Sequence, residues 1–199
     1  MRPVRLLTVG RAVEKKGFDV LLDGLALLPD NLHWTLTHIG GGGKLGRLEA
    51  QARDLGIAER VHWAGPRSQQ DVLAAYRASH VFVLPCRIAG DGDRDGIPNV
   101  LIEAQSQGLA CISSDISAVP ELIRDRSTGL LVPPERPDEL AKAIERLMID
   151  PALRRELGAR AQRHVRQTLD AEVGIAALSG LLTSSLGEHA PRTEAPVAG

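Results

Sequence analysis

Short apolar, β-branched runs alternate with longer stretches of helical period along most of this sequence, and that alternation leaves few folds open. The runs "VRLLTVG", "LHWTLTHIG", "RVHWAG", "HVFVLP", "LACISS" and "TGLLVPP" read as strands bounded by glycine, proline or small polar residues. Between them, Phe18, Leu21, Leu22, Leu25 and Leu28 fall on one helical face. Further helices are predicted over Leu45 to Leu55, over "SQQDVLAAYRAS", from near Pro98, and briefly at "AVPELIRD". Most of the strands are apolar on both faces, as strands are when helices cover a sheet on both sides. The predicted fold class is therefore α/β, a doubly wound, Rossmann-like parallel sheet of about six strands.

From Pro137 the sequence is helical. Leu140, Ile144, Leu147 and Met148 form one stripe, and Pro151 stands where a second helix opens. Val173 to Leu186 reads as a last helix. The closing "GEHAPRTEAPVAG" is rich in proline, alanine and charge and is expected to be disordered. The predicted organisation is one domain over 1–186 and a tail over 187–199, a length that buries a core without disulfides or metal.

The 24 basic and 25 acidic side chains among 199 residues give a net charge of -1, which implies neither a nucleic-acid footprint nor an acidic tail. Any anion site is then local. Cys86 and Cys111 have no metal-like spacing and read as small core residues in a reducing compartment. The six histidines show no paired ligand spacing. No apolar run is long enough to span a bilayer, and the apolar part of "MRPVRLLTVG" is too short for a signal peptide, so a cytoplasmic location is expected.

In an open parallel sheet, ligands bind beyond the carboxyl ends of the strands, so the corner after each run carries the information. "GRAVEKKG" follows the first strand: Gly10 allows close backbone approach, and Arg11 and Lys16 can aim two cations at a crevice. "GGGGKLG" follows the second. Its Gly41, Gly43 and Gly46 satisfy GxGxxG, but no acidic residue ends the next strand, and Leu45 stands where a P-loop needs Ser or Thr. A glycine-rich corner before a helix nonetheless presents backbone N–H groups to an anion.

"DGDRDGIPNVLIE" nearly spells a calcium loop, with Asp91, Asp93, Asp95 and Gly96 in place. Position twelve, however, is Ile102, and a strand-like run precedes the loop instead of a helix. The better reading is a helix start at Gly96, Pro98 and the apolar Val100, Leu101 and Ala104 with proline in the first turn, attractive to phosphate, with Asp95 before it and Glu103 near its second turn. That arrangement suits a ligand whose hydroxyls flank phosphates, such as a sugar nucleotide.

These residues resemble the donor-binding half of retaining glycosyltransferases of the GT-B fold, family 4, from Val4 to about Asp170. The family pattern G-R-x4-K-G matches Gly10, Arg11, Lys16 and Gly17; its Glu-x7-Glu motif matches Asp95 to Glu103; its "PELI" and later "GL-V" segment matches Pro120 to Val132. The resemblance implies that Arg11 and Lys16 neutralise the donor diphosphate and that Glu103 accepts from the ribose hydroxyls. Asp95 would face the transferred sugar, with the amides of Gly96 to Asn99 on sugar and phosphate. Gly41 and Gly42 would line the diphosphate side, and the corner after "VHWAG" would hold the base. It further implies a UDP- or GDP-sugar donor, a hexose passed to a saccharide or lipid-linked acceptor, and no metal or other cofactor. Asp95 departs from the family's usual Glu by one methylene, and "RIAGDGDR" is similar to exopolysaccharide transferases.

The same resemblance implies a second, acceptor-binding domain that these residues do not supply, whether the chain is an excised domain or a natural fragment. A chain of this kind is expected to bind donor and to transfer little alone. Peripheral membrane association of the full enzyme and self-association of this half stay open, as do three other readings: an NAD-binding Rossmann domain using "GGGGKLG", half of a sugar-nucleotide epimerase, and a non-catalytic partner module.

Overall fold

The six predicted strands form one parallel sheet. A computed structural model describes residues 2–168; the helix expected over 173–186 and the tail over 187–199 lie outside the described residues. The strands are β1 (Val4–Val9), β2 (Trp34–Ile39), β3 (Val61–Gly65), β4 (Val81–Leu84), β5 (Ala110–Ser114) and β6 (Leu130–Val132). They lie in the order β3-β2-β1-β4-β5-β6, every neighbouring pair parallel. The centre of the sheet is the most deeply buried: Leu7 on β1 and all four residues of β4 are fully excluded from water. This is why those runs are apolar without alternation.

The connecting helices are α1 (Phe18–Ala26), α2 (Leu45–Asp54), α3 (Gln69–Ala78), α4 (Asn99–Ser106) and the short α5 (Val119–Leu122), with α6 (Pro137–Ile149) and α7 (Pro151–Thr168) at the end. Right-handed crossovers place α1 and α2 on one face of the sheet and α3 and α4 on the other, because the chain winds outward from β1 in two directions. α6 then packs on α1, and α7 on α4 and β5. The α1–α6 contact is close because Gly24 lacks a side chain: a Cβ there would stand 3.1 Å from the Pro137 carbonyl oxygen. The strand order reverses between β1 and β4, and a crevice at their carboxyl ends is the ligand position of such sheets. Among the described residues no helix is long and apolar enough to cross a membrane.

Candidate functional site

The corner after β1 is built around two glycines. The Gly10 amide donates to the Ile39 carbonyl at 2.9 Å, and the Ala12 amide to the Gly41 carbonyl at 2.7 Å, which stitches the first two corners together. A short 3-10 turn, Glu14–Lys16, follows and stops at Gly17, whose φ is 63°. A Cβ on Gly17 would stand 1.9 Å from the Pro85 carbonyl oxygen. Only glycine therefore lets the turn press against the end of β4, and that contact aims Lys15 and Lys16 at the loop over 86–98.

Both lysines meet the same carboxylate. Lys16 Nζ lies 2.7 Å from Asp95 Oδ2, and Lys15 Nζ lies 3.3 Å from Asp95 Oδ1 and 3.0 Å from Asp93 Oδ1. The Lys16 contact is an ion pair whose angle does not make it a hydrogen bond. The hydrogen bond to Asp93 is the largest cause holding Lys15 above its usual pKa, and the charge of Asp95 adds to it. Glu14 ties the loops further: Oε1 accepts from the Gly90 amide at 2.9 Å and Oε2 from Lys44 Nζ at 2.8 Å. Arg11 has no ion partner among the described residues and is exposed to the crevice.

Pro98 does not stand inside α4 as expected. It occupies the cap position with φ -64° and ψ 124°, extended backbone that no helical residue has, so Asn99 opens the helix. The amides of Gly96, Ile97, Asn99 and Val100 have no partner within the described residues, and no side chain caps them. With the helix dipole they form an anion-attracting terminus. Glu103 lies one turn further along α4 and is oriented from α3: Tyr76 Oη lies 3.1 Å from Glu103 Oε2 and 3.2 Å from the Val100 carbonyl. Burial first, and then the Glu103 charge, push the Tyr76 phenol well above its usual range, so it stays a donor.

A shallow, mainly apolar concavity of about 410 Å³ opens where β1 and β2 end, lined by Gly10, Arg11, Ile39, Gly41, Pro66 and Arg67 among others. It joins the first corner to the one after β3. Gly42 does not line it. A Cβ on Gly42 would meet the Ala12 nitrogen at 2.7 Å, so this glycine serves the packing of two loops. Around Gly46 there is open space, whereas the third glycine of a dinucleotide fingerprint is needed for close helix–strand packing. The spacing in "GGGGKLG" is thus met without the packing that gives it meaning.

The predicted residues therefore stand in three places. Lys16 meets Asp95, which directly precedes the Gly96–Asn99 terminus; Gly10, Arg11 and Gly41 surround the concavity; Glu103 meets Tyr76 and touches neither cation. Glu14, Lys15 and Tyr76 join the site through contacts that no sequence motif marks. Tyr76 is the sole tyrosine of the chain, in a predicted helix, and its partner lies 27 positions away. The near-calcium spacing builds no cation site: Asp91 Oδ1 accepts from the Asp93 amide, while Asp93 and Asp95 face Lys15.

Residues 2–164 match the family described as Glycosyl transferases group 1. The chain belongs to that family. Among curated group 1 relatives, the amylovoran biosynthesis glycosyltransferase AmsK of Erwinia amylovora is 33% identical over 147 residues, covering 73% of this chain and 36% of its own length. A GDP-mannose-dependent phosphatidylinositol monomannoside mannosyltransferase of Mycobacterium tuberculosis is 31% identical, covering 73% of this chain and 38% of its own length. The chain thus spans less than two-fifths of these relatives. Among solved structures, sucrose-phosphate synthase from Thermosynechococcus elongatus superposes with a TM-score of 0.80 at 28% identity, covering 94% of this chain and 46% of that one. The fold of this group 1 glycosyltransferase chain is that of a GT-B domain, and the dinucleotide-binding and epimerase readings are not favoured.

Proposed function

We propose that these residues form the donor side of a retaining glycosyltransferase and bind a nucleotide diphospho-sugar in the crevice between β1 and β4. The carrying observation is the Lys16–Asp95 contact, which closes the corner after β1 onto the amino terminus of α4. That one contact brings a cation, free amides and a carboxylate to the same point. Arg11 and Lys16 take the diphosphate and stabilise the charge that develops on it as it leaves. Two fixed cations can do this without a metal, so the reading assigns none. The amides of Gly96 to Asn99 meet sugar and phosphate, Asp95 faces the transferred sugar, and Glu103, held by Tyr76, accepts from the ribose hydroxyls. Gly41 lies on the diphosphate side, and the concavity beside Pro66 holds the base.

The named relatives support this reading, one of them being GDP-mannose-dependent by name. Transfer of a hexose to a saccharide or lipid-linked acceptor draws its acceptor side from outside the matched span. The chain by itself then binds donor and turns over little. The ribose contact gives a direct test: Glu103→Ala should weaken GDP or UDP binding about ten-fold or more, the worth of a hydrogen bond to a charged group. The matching 2′,3′-dideoxy nucleotide should bind wild type and variant alike. Equal loss for both nucleotides would remove Glu103 from the ribose.

A further inference from the structure

Asp95 is claimed by two lysines at once, one on each oxygen, and only one of them belongs to the phosphate corner as read above. Consider the charge at this point. Asp95 is about one-fifth exposed, at 19%, and Lys15 and Lys16 are as enclosed, at 17% and 13%. A diphosphate arriving after β1 adds at least two negative charges and draws Lys16 toward itself. If Lys16 were the sole partner, Asp95 would be left half-buried, unpaired and beside new negative charge, which is costly. Lys15 can remove that conflict, since it reaches Asp95 Oδ1 at 3.3 Å, the oxygen that Lys16 does not hold.

Lys15 is also the point where the 86–98 loop is fastened. Its carbonyl accepts from the Arg87 amide at 2.9 Å at one end of the loop, and its ammonium holds Asp93 and Asp95 at the other. The preceding residue, Glu14, holds the middle through the Gly90 amide, and Arg87 Nε donates to the Glu14 carbonyl at 3.1 Å. Backbone and side chain of one turn thus grip a single loop at three places. Within that loop, Asp95 is followed directly by the free amides of Gly96 and Ile97 before α4.

Resting on the donor-site reading, we propose that Lys15 is a positioning residue. It keeps Asp95 paired and the loop seated while Lys16 is released to the diphosphate, so that the sugar-facing carboxylate stays in place as donor binds. Lys15 itself does not touch the phosphates.

The test is calorimetric titration of the 199-residue chain with GDP, GDP-mannose, UDP and UDP-glucose, for wild type, Lys15→Met, Lys15→Arg and Lys16→Met. Hydrogen exchange of the ligand-free proteins is followed at Arg87 and Gly90. For Lys16→Met, loss of both the diphosphate and its sugar form by ten-fold or more is expected. For Lys15→Met, binding of the diphosphate should stay within about two-fold, while the sugar nucleotide loses roughly ten-fold and exchange at Arg87 and Gly90, whose amides are bonded to the Glu14–Lys16 turn, speeds up. Lys15→Arg should restore both. If Lys15→Met weakens the bare diphosphate as much as Lys16→Met does, Lys15 is a phosphate ligand and the proposal falls. It also falls if neither binding nor exchange changes. Wild type that binds none of the four nucleotides would sink the donor-site reading itself, a result that the exchange data of the ligand-free chain keep separate.

Discussion

Tyr76 and Glu103 meet between α3 and α4, the phenol oxygen 3.1 Å from a carboxylate oxygen and fully buried behind it. A glutamate in a helix second turn has several rotamers open to it, and the proposed ribose contact needs one of them. The tyrosine selects one. Tyr76→Phe keeps the ring against Phe82, 5.6 Å away between centroids, and deletes only the hydroxyl. We expect a stability loss of about 1 kcal/mol and five- to ten-fold weaker nucleotide binding. Thermal unfolding and calorimetry would read the two effects separately; binding equal to wild type would show that Glu103 needs no such support.

Gly17 is predicted to be among the least replaceable positions. With φ at 63° and the Pro85 carbonyl oxygen 1.9 Å from a would-be Cβ, Gly17→Ala must shift either the 3-10 turn or the end of β4. A cost of about 2 kcal/mol or more is expected from strain and lost contact together. Urea unfolding would measure it. The same shift moves Lys15 and Lys16 away from Asp95, so binding should fall with stability.

His38 gives the fold a pH dependence of known sign. It is 1% exposed on β2, between the rings of Phe18 and Trp63, with neither ring nitrogen hydrogen-bonded, and burial lowers its pKa from 6.5 to about 4. Well above pH 6.5 this residue is neutral in both folded and unfolded chains and contributes no slope. As pH falls from 6.5 toward 4 only the unfolded chain takes up the proton, so stability drops, by about 3 kcal/mol in all, and then levels off. Denaturation midpoints across that range should show the decline, and His38→Leu should remove most of it. A flat profile in the wild type would place His38 in water.

Some of this could be read from the sequence and some could not, for a physical reason. The parallel sheet was legible because β4 and its neighbours are apolar on both faces and the helices between them are not. The placing of Arg11 and Lys16 after β1 and of Asp95 after β4 was legible because the strand-like runs end where those loops begin. Contacts across distant segments were not: Lys15 and Asp93 are 78 positions apart, and no local pattern joins them. Nor does spacing reveal what a glycine touches. Gly41 borders the concavity while its neighbour Gly42 packs on Ala12, and a proline fits the cap of α4 as well as its first turn, so spacing does not tell the two apart.

The most direct test of the account is thermal unfolding of the chain in the presence of UDP, GDP, ADP, UDP-glucose, GDP-mannose and NAD, with the Arg11→Ala, Lys16→Ala double variant alongside. A nucleoside diphosphate at about 100 times its dissociation constant should stabilise the wild type by roughly 2.7 kcal/mol, a rise of several degrees. The account predicts that one base gives this rise, that its sugar form gives at least as much, and that the double variant shows none. Stabilisation by NAD alone, or a rise that survives loss of both cations, would contradict it.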